Sequence, residues 1–324
     1  MAAEIAMPAI NAVTGAVDIG GTTIAVGAID ASGTVLAKRE SPTRAQDGFD
    51  AAMERVMAML ESVGIDARVD LGGIGIGCTG PIDPRTGAIG TVDFLPGWQG
   101  CNPVAHLAAH SGLTVAMEND ADAAALGEFQ WGAGRGRQSL VCVTVGTGIG
   151  GGIVLNGALY RGLGGAHPEI GHHVIEESGP QCFCGARGCW ESLASGPAIA
   201  SRVLRDAPAD YPHREQLTAS LVCEFARAGD PIARREIARE GHYLGIGIAN
   251  LITLFAPEVV VLTGSVMKSA DLFLPAIHEV IRRNCGLVPA ADVAVLPSPL
   301  GSDAPLIGAG VVWRHRFERI DSPC

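Results

Sequence analysis

The stretch His167–Ser192, HPEIGHHVIEESGPQCFCGARGCWES, gathers three cysteines and three histidines, with acids on both sides of the cysteines. Cys182, Cys184 and Cys189 stand in the pattern Cys-x-Cys-Gly-x-x-Gly-Cys. Its glycines, Gly185 and Gly188, permit the tight reversals that wrap three thiolates round one ion. One added imidazole makes a Cys3His set, a common shell for structural Zn2+, in which no position stays open for water. His167, His172 and His173 compete for the fourth place. A metal here rigidifies a loop rich in Gly and Pro, and it fixes Glu169 and Glu191, which bracket the cluster. A lone Glu is ordinarily solvated surface. Two fixed carboxylates beside a neutral imidazole suit hydrogen bonds to the hydroxyls of a sugar.

Two glycine turns suit an anion. DIGGTT places Asp18 at a strand end, then Gly20 and Gly21, then Thr22 and Thr23. Glycine lets backbone amides approach a phosphate closely, and the hydroxyls donate to its oxygens. Asp18 would face the same anion, which calls for a cation between them, and Mg2+ fits. GTGIGGG, Gly146–Gly152, follows a strand and precedes another, IVLNGALY, so it is not a dinucleotide fingerprint, which opens a helix. It reads as a hairpin turn in which Gly146, Thr147 and Gly148 grip phosphate. MENDADAAALGE runs from a strand into a helix, with Asn119 and Asp120 at the strand end. Asp120 reads either as the helix cap, a common use of Asp there, or as a base that accepts a proton from a substrate hydroxyl. Asp122 is a second cap candidate.

These residues need a scaffold, and 324 residues favour two domains or lobes over one core. Apolar runs predict strands near Thr14–Asp18, Ile24–Ile29 and Val35–Arg39. Phe49, Met53, Val56, Met57 and Leu60 share a helical face within Gly48–Val63. LGGIGIG and LTVAMEND are strands, and ADAAALGEFQWG is a helix. The first half reads β-β-β-α-β-α-β-α. The second opens with the strand-turn-strand SLVCVTVGTGIGGGIVLNGALY. Helices follow around Pro197–Arg205, Glu215–Ala228, Pro231–Phe255 and Asp271–Asn284, with the strand EVVVLTG before the last. APLIGAGVVWRHRFERI is a terminal helix. Two glycine turns, each between a strand and its hairpin partner, hint at two lobes of related design. The lobes are expected to meet across a short hinge near Glu118–Ala123, with the ligand in the cleft.

Net charge is −11, so the basic footprint of a nucleic-acid binder is missing. The stretch before Thr14 lacks the basic start and long apolar core of a secretory signal, and no apolar run is long enough for a membrane span. The expectation is a cytoplasmic protein, in which the nine cysteines are thiols and metal ligands rather than disulfides.

Taken together, VDIGGTT, ENDADAAALGE, GTGIGGG, HPEIGHH, CFCGARGCWE and VVVLTGSV resemble the ROK family of repressors and sugar kinases, over nearly the whole chain. The resemblance implies an α/β, two-lobed actin-like or hexokinase-like ATPase fold. It implies a smaller first lobe, residues 13–121 plus a returning C-terminal helix, 307–320. The larger lobe is then 122–306, with the zinc loop at 167–192. It makes Asp18 and Gly20–Thr23 the first phosphate motif, with Asp18 near Mg2+, and Gly146–Gly150 the second. Gly264 and Ser265 become the adenosine-side turn. Asn119 matches the sugar-binding Asn and Asp120 the catalytic Asp. Gly80 and Pro81 look like the loop below the sugar. Glu169 and His172 match E-x-G-H, in which the Glu binds sugar and the His joins zinc while facing the sugar. Glu191 is a further sugar contact.

There are departures. Many relatives carry Asn where this chain has Phe94, which bears on one sugar contact. HPEIGH resembles fructokinase relatives, whereas the full cysteine set resembles glucokinase and N-acetylmannosamine kinase relatives. The stretch before Thr14 is too short for the helix-turn-helix of the family's repressors. The expectation is an ATP-dependent hexose kinase acting on the 6-hydroxyl of glucose, with Mg2+ and a structural Zn2+, as a homodimer. The alternatives are an N-acetylmannosamine, N-acetylglucosamine or fructose kinase, and a sugar-responsive regulator that does not phosphorylate.

Overall fold

A computed structural model describes residues 12–317. Expectations for residues 1–11, for the last three residues of the terminal helix and for Cys324 fall outside them.

The chain divides into two compact units. The first comprises the residues up to Gly136, Gly157–His167, and those from Asp303 onward; the second comprises Arg137–Asn156 and Pro168–Ser302. The first unit carries β1 (Val13–Ile19), β2 (Thr23–Ile29), β3 (Val35–Pro42), α1 (Phe49–Ala67), β4 (Leu71–Cys78), the two-residue strands β5 (Ile82–Asp83) and β6 (Ala88–Ile89), α2 (Pro103–Ser111), β7 (Val115–Asn119) and α3 (Asp120–Trp131). The second carries β8 (Leu140–Val145) and β9 (Ile149–Leu155), and the chain then gives the short β10 (Ala158–Leu159) back to the first unit. It continues in the second unit with α4 (Trp190–Ala194), α5 (Gly196–Asp206), α6 (Ala219–Ala228), α7 (Pro231–Phe255), β11 (Val259–Thr263), α8 (Ala270–Asn284) and β12 (Ala294–Pro297). The last helix, α9 (Ala304–Phe317), belongs to the first unit.

In the first unit the expected order β-β-β-α-β-α-β-α holds, with the β5–β6 hairpin inserted. The sheet runs β3-β2-β1-β4-β7. Its first two pairings are antiparallel and its last two parallel, so β1, β4 and β7 point the same way. The period-2 alternation of LGGIGIG explains how both faces are covered. Ile74 and Ile76 join the core that also holds Met53, Val56 and Leu60 of α1. The alternate positions are glycine because α9 lies against them. A Cβ on Gly73 would stand 2.0 Å from the Trp313 ring, and one on Gly75 would stand 1.8 Å from the Ala309 carbonyl oxygen.

In the second unit the sheet includes the order β9-β8-β11-β12, with β8–β9 antiparallel and the other two pairings parallel. Every residue of β11 is buried, as its unbroken apolar run VVVL requires. Trp190 is fully buried; its indole N–H donates to the Tyr243 carbonyl at 3.0 Å, and a Cβ on Gly247 would collide with its ring. The core of the second unit thus grips the residue that follows Cys189.

The first unit runs through Glu118–Ala123 to Gly136, and the second begins at Arg137. Small-residue packing is the reason. A Cβ on Gly308 of α9 would stand 1.8 Å from the Ala123 carbonyl oxygen of α3, and one on Gly127 of α3 would stand 2.9 Å from that of Ala304. These helices touch backbone to backbone, so α3 cannot be divided from α9. The segment Gly157–His167 is held to the first unit by Arg161 and His167, both bonded to Asp122 of α3.

Candidate active site

In the first unit the expected chemistry gathers at the carboxyl ends of the parallel strands, the usual place for a ligand in an open α/β sheet. Register makes this so: Asp18 of β1 pairs with Gly77 of β4, and Gly77 with Glu118 of β7. Asn119 and Asp120 come next along β7 and open α3. A Cβ on Gly77 would lie 3.6 Å from the Asp120 Cα and 3.8 Å from Asp18 Oδ1, so both acids sit close to one glycine. Burial pushes the Asp18 carboxyl up to about 7; Asp120 adds to the rise, Lys38 opposes it and Glu40 adds a little. Asp120 is also raised, mainly by burial, against the Ala121 N–H and the His167 ring, while Asp122 pushes it up.

Neither Asp120 nor Asp122 is the principal cap of α3. Asn119 is: its Oδ1 accepts from the N–H groups of Ala121 at 2.9 Å and Asp122 at 3.3 Å. Asp120 Oδ1 shares the Ala121 N–H at 2.8 Å. With its oxygen committed, Asn119 has only the amide nitrogen left to offer a ligand, and a Cβ on Gly80 would stand 3.0 Å from that nitrogen. The Gly80–Pro81 peptide is cis. Asp122, fully buried, accepts from Arg161 and, at 2.7 Å, from His167; Arg161 also donates to Glu118. This cluster behind Asp120 was not read from the sequence, because its members are far apart along the chain.

The first glycine turn joins β1 to β2. Gly20 N–H donates to the Thr23 carbonyl at 3.0 Å, and Thr43 Oγ1 donates to the Gly20 carbonyl at 2.6 Å. The side chains of Thr22 and Thr23 are exposed. Phe94, half exposed, packs on the turn: a Cβ on Gly21 would stand 2.7 Å from its Cβ.

In the second unit Gly146, Thr147 and Gly148 form the turn of the β8–β9 hairpin, closed by Gly146 N–H on the Gly148 carbonyl at 2.9 Å. Gly264, at φ +96, and the exposed Ser265 follow β11. A Cβ on Gly146 would lie 3.4 Å from Ser265 Oγ, so the two turns expected to serve the nucleotide are neighbours. Glu169 is exposed and borders a cavity of about 400 Å³ walled by Ile170, His173, Leu251 and Leu254. Glu191 lies in the first turn of α4, and its Oε2 accepts the Ile149 N–H at 2.8 Å.

The metal-type residues converge. One ligand atom each from His172, Cys182, Cys184 and Cys189 lie within 4.8 Å of one another. Cys182 Sγ is 3.5 Å from His172 Nδ1, and Cys184 Sγ is 3.5 Å from Cys189 Sγ. A tetrahedral ion with zinc–sulfur bonds near 2.3 Å and zinc–nitrogen bonds near 2.0 Å sets edges of roughly 3.5–3.8 Å, so the donor set fits. Gly185 at φ +97 and Gly188 at φ +69 make the reversals expected of them. Of the rival histidines, His167 belongs to the first unit and bonds Asp122 there, and His173 Nδ1 faces the Ile170 carbonyl at 2.5 Å.

Comparison with known proteins decides the family. The model of the ROK family matches residues 14–316. The chain belongs to the ROK family. Among its relatives, it is 33% identical over 310 residues to the glucokinase of Thermotoga maritima, covering 93% of this chain and 97% of that one. It is 37% identical over 308 residues to the glucokinase of Halalkalibacterium halodurans, covering 91% and 92%. Among solved structures, a ROK glucokinase from Streptomyces griseus in complex with glucose and AMPPNP superposes with a TM-score of 0.81 at 31% identity, covering 92% of this chain and 98% of that one. The two-lobed actin-like or hexokinase-like fold class expected of the ROK protein therefore holds.

Proposed function

We propose that this ROK protein is a glucokinase, transferring the γ-phosphoryl group of ATP to the 6-hydroxyl of glucose. The observation that carries the proposal is Asp120, placed at the carboxyl end of β7 by Asn119's cap and set beside Asp18, in a chain whose relatives include glucokinases over nearly their full length. Phosphoryl transfer depends mainly on positioning and electrostatics. Asp120 accepts the hydroxyl proton as the sugar oxygen attacks phosphorus; a carboxyl raised above the usual aspartate range is a stronger base than an exposed one. Asn119 Nδ2 donates to a sugar hydroxyl, and Gly80 leaves room for it. Glu169, Glu191 and His172 are the residues of the zinc loop that we assign to sugar hydroxyls. The amides and hydroxyls of Gly20–Thr23 and Gly146–Gly148 carry phosphate charge, and Gly264 and Ser265 take the adenosine side.

Two ions belong to the proposal. Asp18 would hold Mg2+, which neutralises phosphate charge; a buried carboxyl whose proton affinity is raised further by Asp120, close to the same glycine, is a place where a cation relieves repulsion. His172, Cys182, Cys184 and Cys189 would hold a structural Zn2+ that stiffens the loop between Glu169 and Glu191. A cytoplasmic homodimer is part of the same proposal. None of the described helices is long and apolar enough to cross a membrane.

An ADP-release assay over glucose, fructose, N-acetylmannosamine and N-acetylglucosamine tests the substrate. Glucose should give the highest kcat/KM. A higher value for another sugar replaces the assignment, and no ADP release with any sugar supports a regulator instead.

A further inference from the structure

The phosphate turn and one acid assigned to the sugar are physically joined. Glu191 Oε2 accepts the Ile149 N–H at 2.8 Å. A Cβ on Gly148 would stand 2.4 Å from that oxygen and 3.2 Å from the carboxyl carbon, so the carboxylate lies directly against the turn. A second tie comes from the same short stretch: Gly196 N–H, at the start of α5, donates to the Gly146 carbonyl at 2.8 Å. The stretch is itself anchored at both ends. Trp190 is buried beneath Gly247, and Arg202 donates to the Leu193 carbonyl while bonded to the buried Glu236 and Glu240.

We infer that Glu191 is a positioning residue for the nucleotide turn as well as a sugar contact. One carboxylate oxygen fixes the backbone of Gly148–Ile149, and the other is left for a sugar hydroxyl. The inference deepens the kinase proposal and rests on its assignment of the turn to phosphate and of Glu191 to sugar. A turn of glycines has many conformations to lose, so an ionised acceptor that fixes one of them lowers the entropy cost of gripping phosphate. It also makes binding reciprocal: sugar that orders Glu191 orders the nucleotide turn, and nucleotide that orders the turn orders Glu191 for sugar.

The test is the affinity of the full chain for AMPPNP with Mg2+ in the absence of sugar, read by calorimetry. A purely sugar-contacting Glu191 has no effect on that number. Glu191→Ala removes the acceptor and should weaken AMPPNP binding roughly 10-fold or more, as loss of a charge-assisted hydrogen bond does. Glu191→Gln keeps a carbonyl oxygen for the Ile149 N–H, so AMPPNP affinity should stay within about 3-fold of wild type. Its glucose affinity should fall, because a charged acceptor is lost. Gly148→Ala displaces the carboxylate without removing it and should reproduce the nucleotide loss, which keeps the test alive should Glu191→Ala fail to fold. Wild-type AMPPNP affinity in Glu191→Ala or Gly148→Ala overturns the inference, as does a Glu191→Gln variant as weak as Glu191→Ala. A wild type that binds no AMPPNP removes the kinase proposal and this inference with it. A wild type that binds it normally, with unchanged variants, removes the inference alone.

Discussion

Asn119 Oδ1 accepts the Ala121 N–H at 2.9 Å, so the helix that begins with Asp120 is capped chiefly by the residue before it. That relation separates stability from chemistry. Asn119→Ala should cost about 1 kcal/mol of unfolding free energy, the usual value of a lost cap. Asp120→Asn keeps the Asn119 cap and removes an ionisation that burial disfavours. At pH 8 it should be at least as stable as wild type. Urea unfolding of both variants checks this; a larger loss in Asp120→Asn than in Asn119→Ala contradicts it.

The acid limb of the pH–rate profile should reflect Asp120. The base works only when ionised, so kcat/KM falls as pH falls through its folded pKa, which burial places above the ordinary 3.8. The His167 ring, bonded to Asp122 at 2.7 Å, pulls that value down. His167→Ala should therefore move the acid limb to higher pH. A limb that stays put or moves lower argues against Asp120 as the titrating base.

The glycine face of β4 should tolerate no Cβ. Gly75→Ala puts a methyl group 1.8 Å from the Ala309 carbonyl oxygen and must push α9 off the sheet. We expect a loss of about 3 kcal/mol or more, at the upper end of overpacking effects. Gly286→Ala, with nothing within 4 Å, should stay within about 0.5 kcal/mol of wild type. Thermal unfolding of the pair gives the answer, and equal melting temperatures contradict the packing described.

Elemental analysis of the purified protein should find one zinc per chain. Cys184→Ser should lose it, lower the melting temperature and weaken glucose binding, since one absent thiolate opens a four-ligand shell. Metal-free protein of full activity would show the loop to be self-supporting.

What could be read from the sequence was local. The alternation of LGGIGIG, the apolar run of β11 and the span of α7 follow from periodicity, and α7 runs over Pro231–Phe255 as expected. Gly185 and Gly188 were legible because a left-handed backbone leaves glycine in the sequence. The misses were tertiary. Nothing in ADAAALGEFQ says that Ala123 meets Gly308, or in ALYRGLGGAH that Arg161 and His167 return to Asp122. The helix between LGGIGIG and LTVAMEND follows from the element order, but its span, Pro103–Ser111, is weakly marked because only Pro103 and Leu107 of PVAHLAAHS are buried. Asn119 and Asp120 are both good caps by type, and only the side-chain geometry separates them. Gly148 is conspicuous in GTGIGGG for phosphate, yet its lack of a Cβ also makes room for Glu191, a contact across 43 residues that spacing does not announce.

The most direct test is turnover of ATP with glucose by wild type and Asp120→Asn, with glucose affinity measured on both. Wild type should release ADP and form glucose 6-phosphate. Asp120→Asn should bind glucose yet turn over roughly 10²–10⁴ times more slowly, the usual loss when a general base is removed. An Asp120→Asn enzyme with wild-type turnover would contradict the account.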